Sequence, residues 1–418
     1  MSLFIENILL NDSATNILIE NNLIAGIGEH IPMPANAIRI EGQGKAALPS
    51  FANMHTHAAM SLLRGCGNDC PLDVWLNQHI WPREQRLTDE AVYWGVRLAC
   101  LEMIKSGTTL LNDMYFHIPA AARAIHDAGI RGVLGINYFG DAKELTDDSL
   151  AQLQESVVPY HERVCLALAP HSIYTVSPAG LRHCAEMSHK HGLLYHIHMS
   201  ETEKEVQECL DTHHFRPYEL LEQLGVLELT EGRFVGAHSL HLSPDEIALM
   251  GSRKVTAVHN PCSNLKLGSG NRFFYTELRD AGCTVTLGTD GCASSNNLDM
   301  VEAAKFMSYL QKGTREDPTV LPADELLEVA TANGYNALGI HGGKIEVGML
   351  ADLMLIDLDN IAFTPYSQLV PGLFYAAHGD AVDTVICNGR LLMQHRHVEG
   401  EEEIIRHARQ AAKQLTSN

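Results

Sequence analysis

The pattern of hydrophobic and polar positions changes character twice along the chain. Up to Lys45, short alternating runs at 3–9, 15–20 and 23–27, with Asn21-Asn22 between the last two, predict a small all-β unit. From Ala46 onward, compact apolar or β-branched runs recur, each ending in polar residues and each followed by a helical stretch. Eight such runs predict strands at 51–57, 108–114, 132–137, 164–171, 193–198, 234–238, 255–260 and 284–290. Amphipathic stretches at 89–105, 119–128, 178–191, 244–250 and 276–281 predict helices. Ser177-Pro178 and Ser243-Pro244 carry a helix-start signal, because proline suits the first helical turn.

Strands apolar on both faces that alternate with helices imply a parallel sheet. Eight of them imply an α/β fold closed into a (β/α)8 TIM barrel, with a doubly wound open sheet as the alternative. A helical region at 298–338 follows the eighth run. Gly343-Lys344-Ile345-Glu346-Val347-Gly348 then leads into 351–357 and further short strands to about Val398, with a charged terminal helix at 401–415. The two ends resemble each other in character and are expected to pack together as one β-sandwich. The division is 1–48 for its first part, 49–342 for the barrel, and 343–418 for the rest and the terminal helix. No internal repeat or low-complexity linker interrupts this order.

Composition narrows the function classes. Hydrophobic residues make up 45% and charged residues 19%, as in a soluble globular protein. A net charge of −21, from 30 basic and 51 acidic residues, argues against binding nucleic acid or an anionic membrane surface. No apolar run reaches the roughly 20 residues that span a bilayer. The start, Met-Ser-Leu-Phe-Ile-Glu-Asn, lacks a basic region and a sustained apolar region, so a cytoplasmic location is expected. The ten cysteines form no CxxC pair and read as reduced thiols, and the sequon at Asn11 as unused.

Candidate chemistry gathers at the ends of the expected strands, which in a barrel of this kind converge on one face. The first ends in His55-Thr56-His57, and residues two apart on a strand point the same way, so both imidazoles can face one ion. A lone HxH is weak evidence, since core histidines can share that spacing. The fifth holds His196-Ile197-His198; His198 lies nearer the end and is the better ligand, while His196 reads as a deeper core histidine. The eighth ends in Gly288-Thr289-Asp290-Gly291. Three histidines and an aspartate leave room for a water, the open coordination a catalytic ion requires. Glu201, three residues past His198, reads as a catalytic acid/base and His238, at the end of the sixth strand, as a catalytic group. The bland readings are a solvated loop glutamate and a structural N–H donor.

At this point the chain resembles the amidohydrolase superfamily, in the subgroup of 5′-methylthioadenosine/S-adenosylhomocysteine deaminases. The similarity runs nearly end to end. It includes Pro49-Ser-Phe-Ala-Asn-Met-His-Thr-His57, Leu76-Asn-Gln-His-Ile-Trp-Pro-Arg-Glu84 and Gly107-Thr-Thr109 with Asn112-Asp-Met-Tyr115. It continues through Pro170-His-Ser-Ile-Tyr-Thr175, His198-Met-Ser-Glu-Thr202, His259-Asn-Pro-Cys-Ser-Asn-Leu-Lys-Leu267 and Gly288-Thr-Asp-Gly-Cys-Ala-Ser-Ser-Asn-Asn297. The resemblance implies that His55, His57, His198 and Asp290 hold one divalent ion, with zinc favoured by ligand type. It implies that Glu84 binds the ribose hydroxyls and that His171 contacts the nucleoside. Binuclear relatives bridge two ions through a lysine on the fourth strand; here that strand reads Val164-Cys-Leu-Ala-Leu-Ala-Pro-His171, so a single ion is expected.

The reaction so implied is hydrolytic deamination of an adenosine-type nucleoside to the inosine analogue and ammonia. Asp290 would accept a proton, Glu201 would protonate N1, and His238 would orient the attacking oxygen. Asp290 and Glu201 would then contact substrate as well. Members that take a homocysteine tail use an arginine near the end of the third strand. Here Gly132-Val-Leu-Gly-Ile-Asn-Tyr-Phe-Gly140 holds none and Arg131 precedes it, which favours 5′-methylthioadenosine or adenosine over S-adenosylhomocysteine. The alternatives are a guanine- or triazine-type hydrolase of the same superfamily, and a metal-binding barrel without catalysis. The expected partner is a small nucleoside, and the sequence is compatible with a homo-oligomer.

Overall fold

The computed structural model describes residues 2–365 and 368–416. The N-terminal segment forms β1 (Ser2–Leu10), β2 (Ser13–Glu20), β3 (Leu23–Gly28), β4 (Ile38–Glu41) and β5 (Lys45–Pro49). The barrel strands are β6 (Phe51–Thr56), β7 (Thr108–Tyr115), β8 (Arg131–Tyr138), β9 (Val164–Pro170), β10 (Leu194–Met199), β11 (Phe234–His238), β12 (Thr256–His259) and β13 (Thr284–Leu287). The C-terminal segment adds β14 (Leu353–Asp357), β15 (Val382–Cys387) and β16 (Arg390–Met393).

Strands β6 to β13 pair in chain order, every pair parallel, with helices between them such as Asp89–Lys105, Ile118–Ala128 and Pro178–His191. Ser177 caps its helix as the sequence predicts, its side-chain oxygen accepting Gly180 N–H, and Thr88 caps Asp89–Lys105 by accepting Ala91 N–H. The ring closes between β6 and β13 through a seam and not a regular ladder. Asp290 N–H donates to His55 C=O at 3.0 Å, and the Asn53 amide donates to Thr289 Oγ1 at 2.7 Å. Gly288 sits in this seam, where a Cβ would lie 2.8 Å from the His55 carbonyl oxygen, so only glycine permits the approach.

The ends of the chain meet in one continuously bonded sheet ordered β16-β15-β14-β5-β1-β2-β3, with β4 on β1. Ile5, Ile17, Leu353 and Ile386 are among the residues of its own apolar core. The short strands β4 and β5 were not predicted; each is under six residues and too brief to show a period. The sheet is tied to the barrel floor by Arg131, whose guanidinium donates to Asp352 at 2.5 Å (Nε) and 3.2 Å (Nη2) and to Asn388 at 2.7 Å. Tyr335 adds a hydroxyl bond to Asp352 at 3.0 Å. The helical region after β13 resolves into Met300–Arg315, Ala323–Ala330 and Ala332–Ala337, and the terminal helix runs Glu401–Thr416. Among the described residues no helix is long and apolar enough to cross a membrane, and the ten cysteines are free.

Candidate metal and active site

The C-terminal ends of β6, β10, β11 and β13 bring together six of the residues singled out in the sequence. His55 and His57 point inward from the end of β6 and the position after it, and His198 joins them from β10. Asp290 lies three residues past the end of β13, in a left-handed turn (φ +61°), and not on the strand as expected. Its Oδ1 is 3.2 Å from His57 Nε2 and 3.6 Å from His55 Nε2.

The proton positions on these rings follow from their partners. His57 Nδ1 lies 2.6 Å from the Met114 carbonyl and His198 Nδ1 lies 2.7 Å from the His171 carbonyl, so each carries hydrogen on Nδ1. Their Nε2 lone pairs then face each other across 3.3 Å, and the buried His55 Nε2 has no hydrogen-bond partner. Lone pairs converging with a carboxylate fit a divalent cation. Burial drives His55 down to about 4. Burial also opposes charge on His57, but the Asp290 hydrogen bond and charge outweigh it and raise that ring to about 9. Burial likewise opposes ionisation of Asp290, yet both histidines hold its carboxyl well below the usual range.

His238 sits beside the cluster and forms a second ligand-like group with His55 and Asp290. Its Nδ1, however, accepts the Asn264 amide at 2.9 Å and is 3.3 Å from that of Asn260, which leaves the hydrogen on Nε2. That nitrogen is a donor, 3.7 Å from Glu201 Oε2, and suits a reacting oxygen better than an ion. The backbone at His238 is left-handed (φ +73°), a conformation stored at functional sites when surroundings enforce it. Glu201 is buried, its carboxyl raised by that burial, and Ser269 Oγ donates to its Oε1 at 3.1 Å. Ser263 Oγ donates to Asp290 Oδ2 at 2.6 Å, and Gly291 N–H to Oδ1 at 2.8 Å.

His196 lies one layer deeper, as expected, with Nε2 3.0 Å from His55 Nδ1. Its own Nδ1 lacks a partner, so it is a support for His55 and not a fully satisfied core residue.

These groups open on a cavity of about 590 Å3. Glu84 and His171 line the same cavity. Glu84 ends the short helix Trp81–Glu84, which follows a stretch of π-helix at Trp75–Ile80; such turns recur at functional sites. Burial raises the Glu84 carboxyl, against the pull of Tyr115 and His57. Trp75, Trp81, Tyr115, Phe116 and Phe139 make the walls largely aromatic, and no lysine or arginine is among the lining residues described. Ser263, Asn264, Ser269 and the aromatic walls had no role in the sequence reading. The signal for the first two was a polar run, Asn260-Pro-Cys-Ser-Asn264, directly after a buried strand.

A model of the family described as "Amidohydrolase family" matches residues 46–392. The chain belongs to the amidohydrolase family. It is a hydrolase acting on C–N bonds. It is 48% identical over 383 residues to the 5′-deoxyadenosine deaminase of Methanoregula boonei, covering 90% of this chain and 86% of that one. It is 40% identical over 410 residues to 5-methylthioadenosine/S-adenosylhomocysteine deaminase 1 of Archaeoglobus fulgidus, covering 96% of each. Among solved structures, an adenosine deaminase from Xanthomonas campestris with bound zinc superposes with a TM-score of 0.92 at 31% identity, covering 100% of this chain and 99% of that one.

Proposed function

We propose that this amidohydrolase deaminates an adenosine-type nucleoside, using one divalent ion, zinc by ligand type, held by His55, His57, His198 and Asp290. The observation that carries the reading is the joint placement of the proton-handling groups Glu201, His238 and Asp290 with Glu84 on one largely apolar cavity. A carboxylate on the same cavity as the candidate metal ligands suits the 2′,3′-diol of a ribose, which a bare guanine or triazine lacks.

A bound divalent ion supplies Lewis acidity that lowers the pKa of a water toward neutrality. Asp290, fixed by Ser263 and Gly291, takes a proton from the water that attacks C6 of the purine. Glu201, whose carboxyl burial keeps protonated to higher pH than usual, delivers a proton to N1 and makes C6 electrophilic. His238 donates its Nε2 hydrogen to the oxygen on which charge develops. The proton on Asp290 passes to the departing amine, and the hydroxyl proton left on C6 returns to Glu201 as the carbonyl forms, so water and the nucleoside yield ammonia and the inosine analogue with both carboxyls restored. Glu84 orients the ribose and His171 contacts the nucleoside.

The 5′ substituent is small and uncharged in this reading. The lining offers no cation to a carboxylate tail, and Arg131 is spent on Asp352 at the opposite end of the barrel. The relatives include deaminases of 5′-deoxyadenosine, which has no such tail, and 5-methylthioadenosine/S-adenosylhomocysteine deaminases, so the preference rests on the lining. Ammonia release from 5′-deoxyadenosine, 5′-methylthioadenosine, adenosine, S-adenosylhomocysteine and guanine, with chloride release from a chlorotriazine, tests it. Higher kcat/KM for the first three supports the reading; preference for S-adenosylhomocysteine overturns the argument from charge. Activity on guanine or the triazine alone overturns the role of Glu84.

A further inference from the structure

The turn that carries Glu201 is held by a side chain with no part in the chemistry above. Glu205 lies in the first turn of helix Glu203–His213 and is 4% exposed. Its Oε1 accepts the Ser200 N–H and its Oε2 the Glu201 N–H, both at 2.8 Å. A capping glutamate three residues into a helix ordinarily reaches back to the N–H of the cap residue itself. The cap residue here is Thr202, whose hydroxyl accepts Glu205 N–H at 3.1 Å, while the Glu205 carboxylate reaches past it to the two preceding residues. Burial opposes ionisation of the Glu205 carboxyl, while the two backbone N–H bonds, each of which needs an acceptor oxygen, favour the carboxylate.

The same turn is gripped from its other side. Ser200 is left-handed (φ +48°), and its carbonyl accepts both Leu240 and His241 N–H at 3.1 Å. Ser239 N–H donates to Met199 C=O at 2.8 Å, directly after the left-handed His238. The turn after β10 is therefore clamped between Glu205 and the loop after β11, the two segments that carry Glu201 and His238.

We propose that Glu205 is a positioning residue: its carboxylate locks the Ser200–Glu201 turn so that the Glu201 carboxyl is held against His238, facing the ring it protonates. The proposal rests on the role given to Glu201 above. Glutamine cannot replace it, because one end of the amide is an NH2 that would meet a backbone N–H.

The test compares Glu205→Gln with Thr202→Ala in the zinc-loaded full chain; the threonine change weakens the same helix start without touching the lock. Glu205→Gln is expected to speed amide hydrogen exchange at Ser200 and Glu201 by about tenfold and to lower kcat on 5′-methylthioadenosine by about 10- to 100-fold. KM stays within about twofold, zinc affinity is unchanged, and in a Glu201→Gln background the further loss is under about twofold. Thr202→Ala leaves the two amides protected and kcat within about twofold. Equal kcat losses in both backgrounds, or equal losses from the two variants, overturn the proposal and leave Glu205 a helix cap. If Glu205→Gln does not fold, Glu205→Asp keeps the charge and shortens the reach; unchanged kcat in that variant overturns the lock. If the parent chain releases no ammonia from any nucleoside, the deamination reading fails by itself. The exchange arm then decides, and unchanged protection of the two amides in Glu205→Gln overturns the lock independently.

Discussion

Asp290 donates its backbone N–H to the His55 carbonyl at 3.0 Å, joining the turn after the last barrel strand to the strand that opens the barrel. The fold closes at the place where its first and last candidate metal ligands meet. Thr56 reinforces the join by donating its hydroxyl to the Asp290 carbonyl at 3.1 Å. Asp290 thus owes its position to the seam as much as to its own strand, and its Oδ2 is fixed by the Ser263 hydroxyl.

Removing that bond has a defined consequence. Ser263→Ala leaves the four candidate ligands in place but frees Asp290 Oδ2. The expected outcome is a kcat loss on the order of tenfold with little change in KM. Steady-state kinetics with zinc content measured on the same sample checks it.

Glu201→Gln separates the proposed proton donor from the candidate ligands. The variant should keep its zinc while kcat falls by about 10²- to 10⁴-fold. Metal analysis after dialysis decides the point, and loss of zinc from this variant would move Glu201 into the ligand set.

How much of this was legible in the sequence depended on the range of the forces involved. The eight barrel strands were read because a strand buried on both faces leaves a local signature, an apolar run of fixed length. The ends of β6 and β10 were read because histidines two apart share a face. The segment from Arg64 to Leu87 gave no such signal. It has no periodicity, yet it supplies Trp75, Trp81 and Glu84 to the cavity; only Glu84 was recognised, through a resemblance. Asp290 was expected on a strand, whereas a seam formed with residues more than 230 positions away turns it off the strand, which no local pattern records. The supports Ser263, Asn264 and Glu205 were given no role for the same reason: even where a polar run marks the position, the role depends on which groups lie nearby in space.

His171 makes a prediction about pH. Burial, then the charge of His57, lowers its imidazole to about 3, so it is neutral throughout the range above about pH 4. Protonation is disfavoured in the folded state, and no acid limb near 6 in the kcat/KM profile can belong to this ring. His171→Gln should raise KM while leaving both limbs of the profile where they are. A displaced limb would give His171 a proton-transfer role.

Arg131 and Asp352 are buried partners, 5% and 0% exposed in their side chains, far from the chemistry. Arg131→Met leaves Asp352 charged and short of its partner, a loss of about 3–5 kcal/mol. Chemical denaturation should register that loss, while kcat and KM of the surviving folded protein stay within about twofold. A selective loss of turnover on S-adenosylhomocysteine would instead give Arg131 a part in binding a substrate tail.

The most direct test of the central claim is ammonia release from 5′-methylthioadenosine by metal-free protein titrated with zinc. The account predicts that turnover is absent without metal, rises linearly and saturates near one ion per chain, at which point the inosine analogue and ammonia form in equal amounts. Full turnover in the metal-free chain, or saturation only at two ions, would contradict the site built from His55, His57, His198 and Asp290.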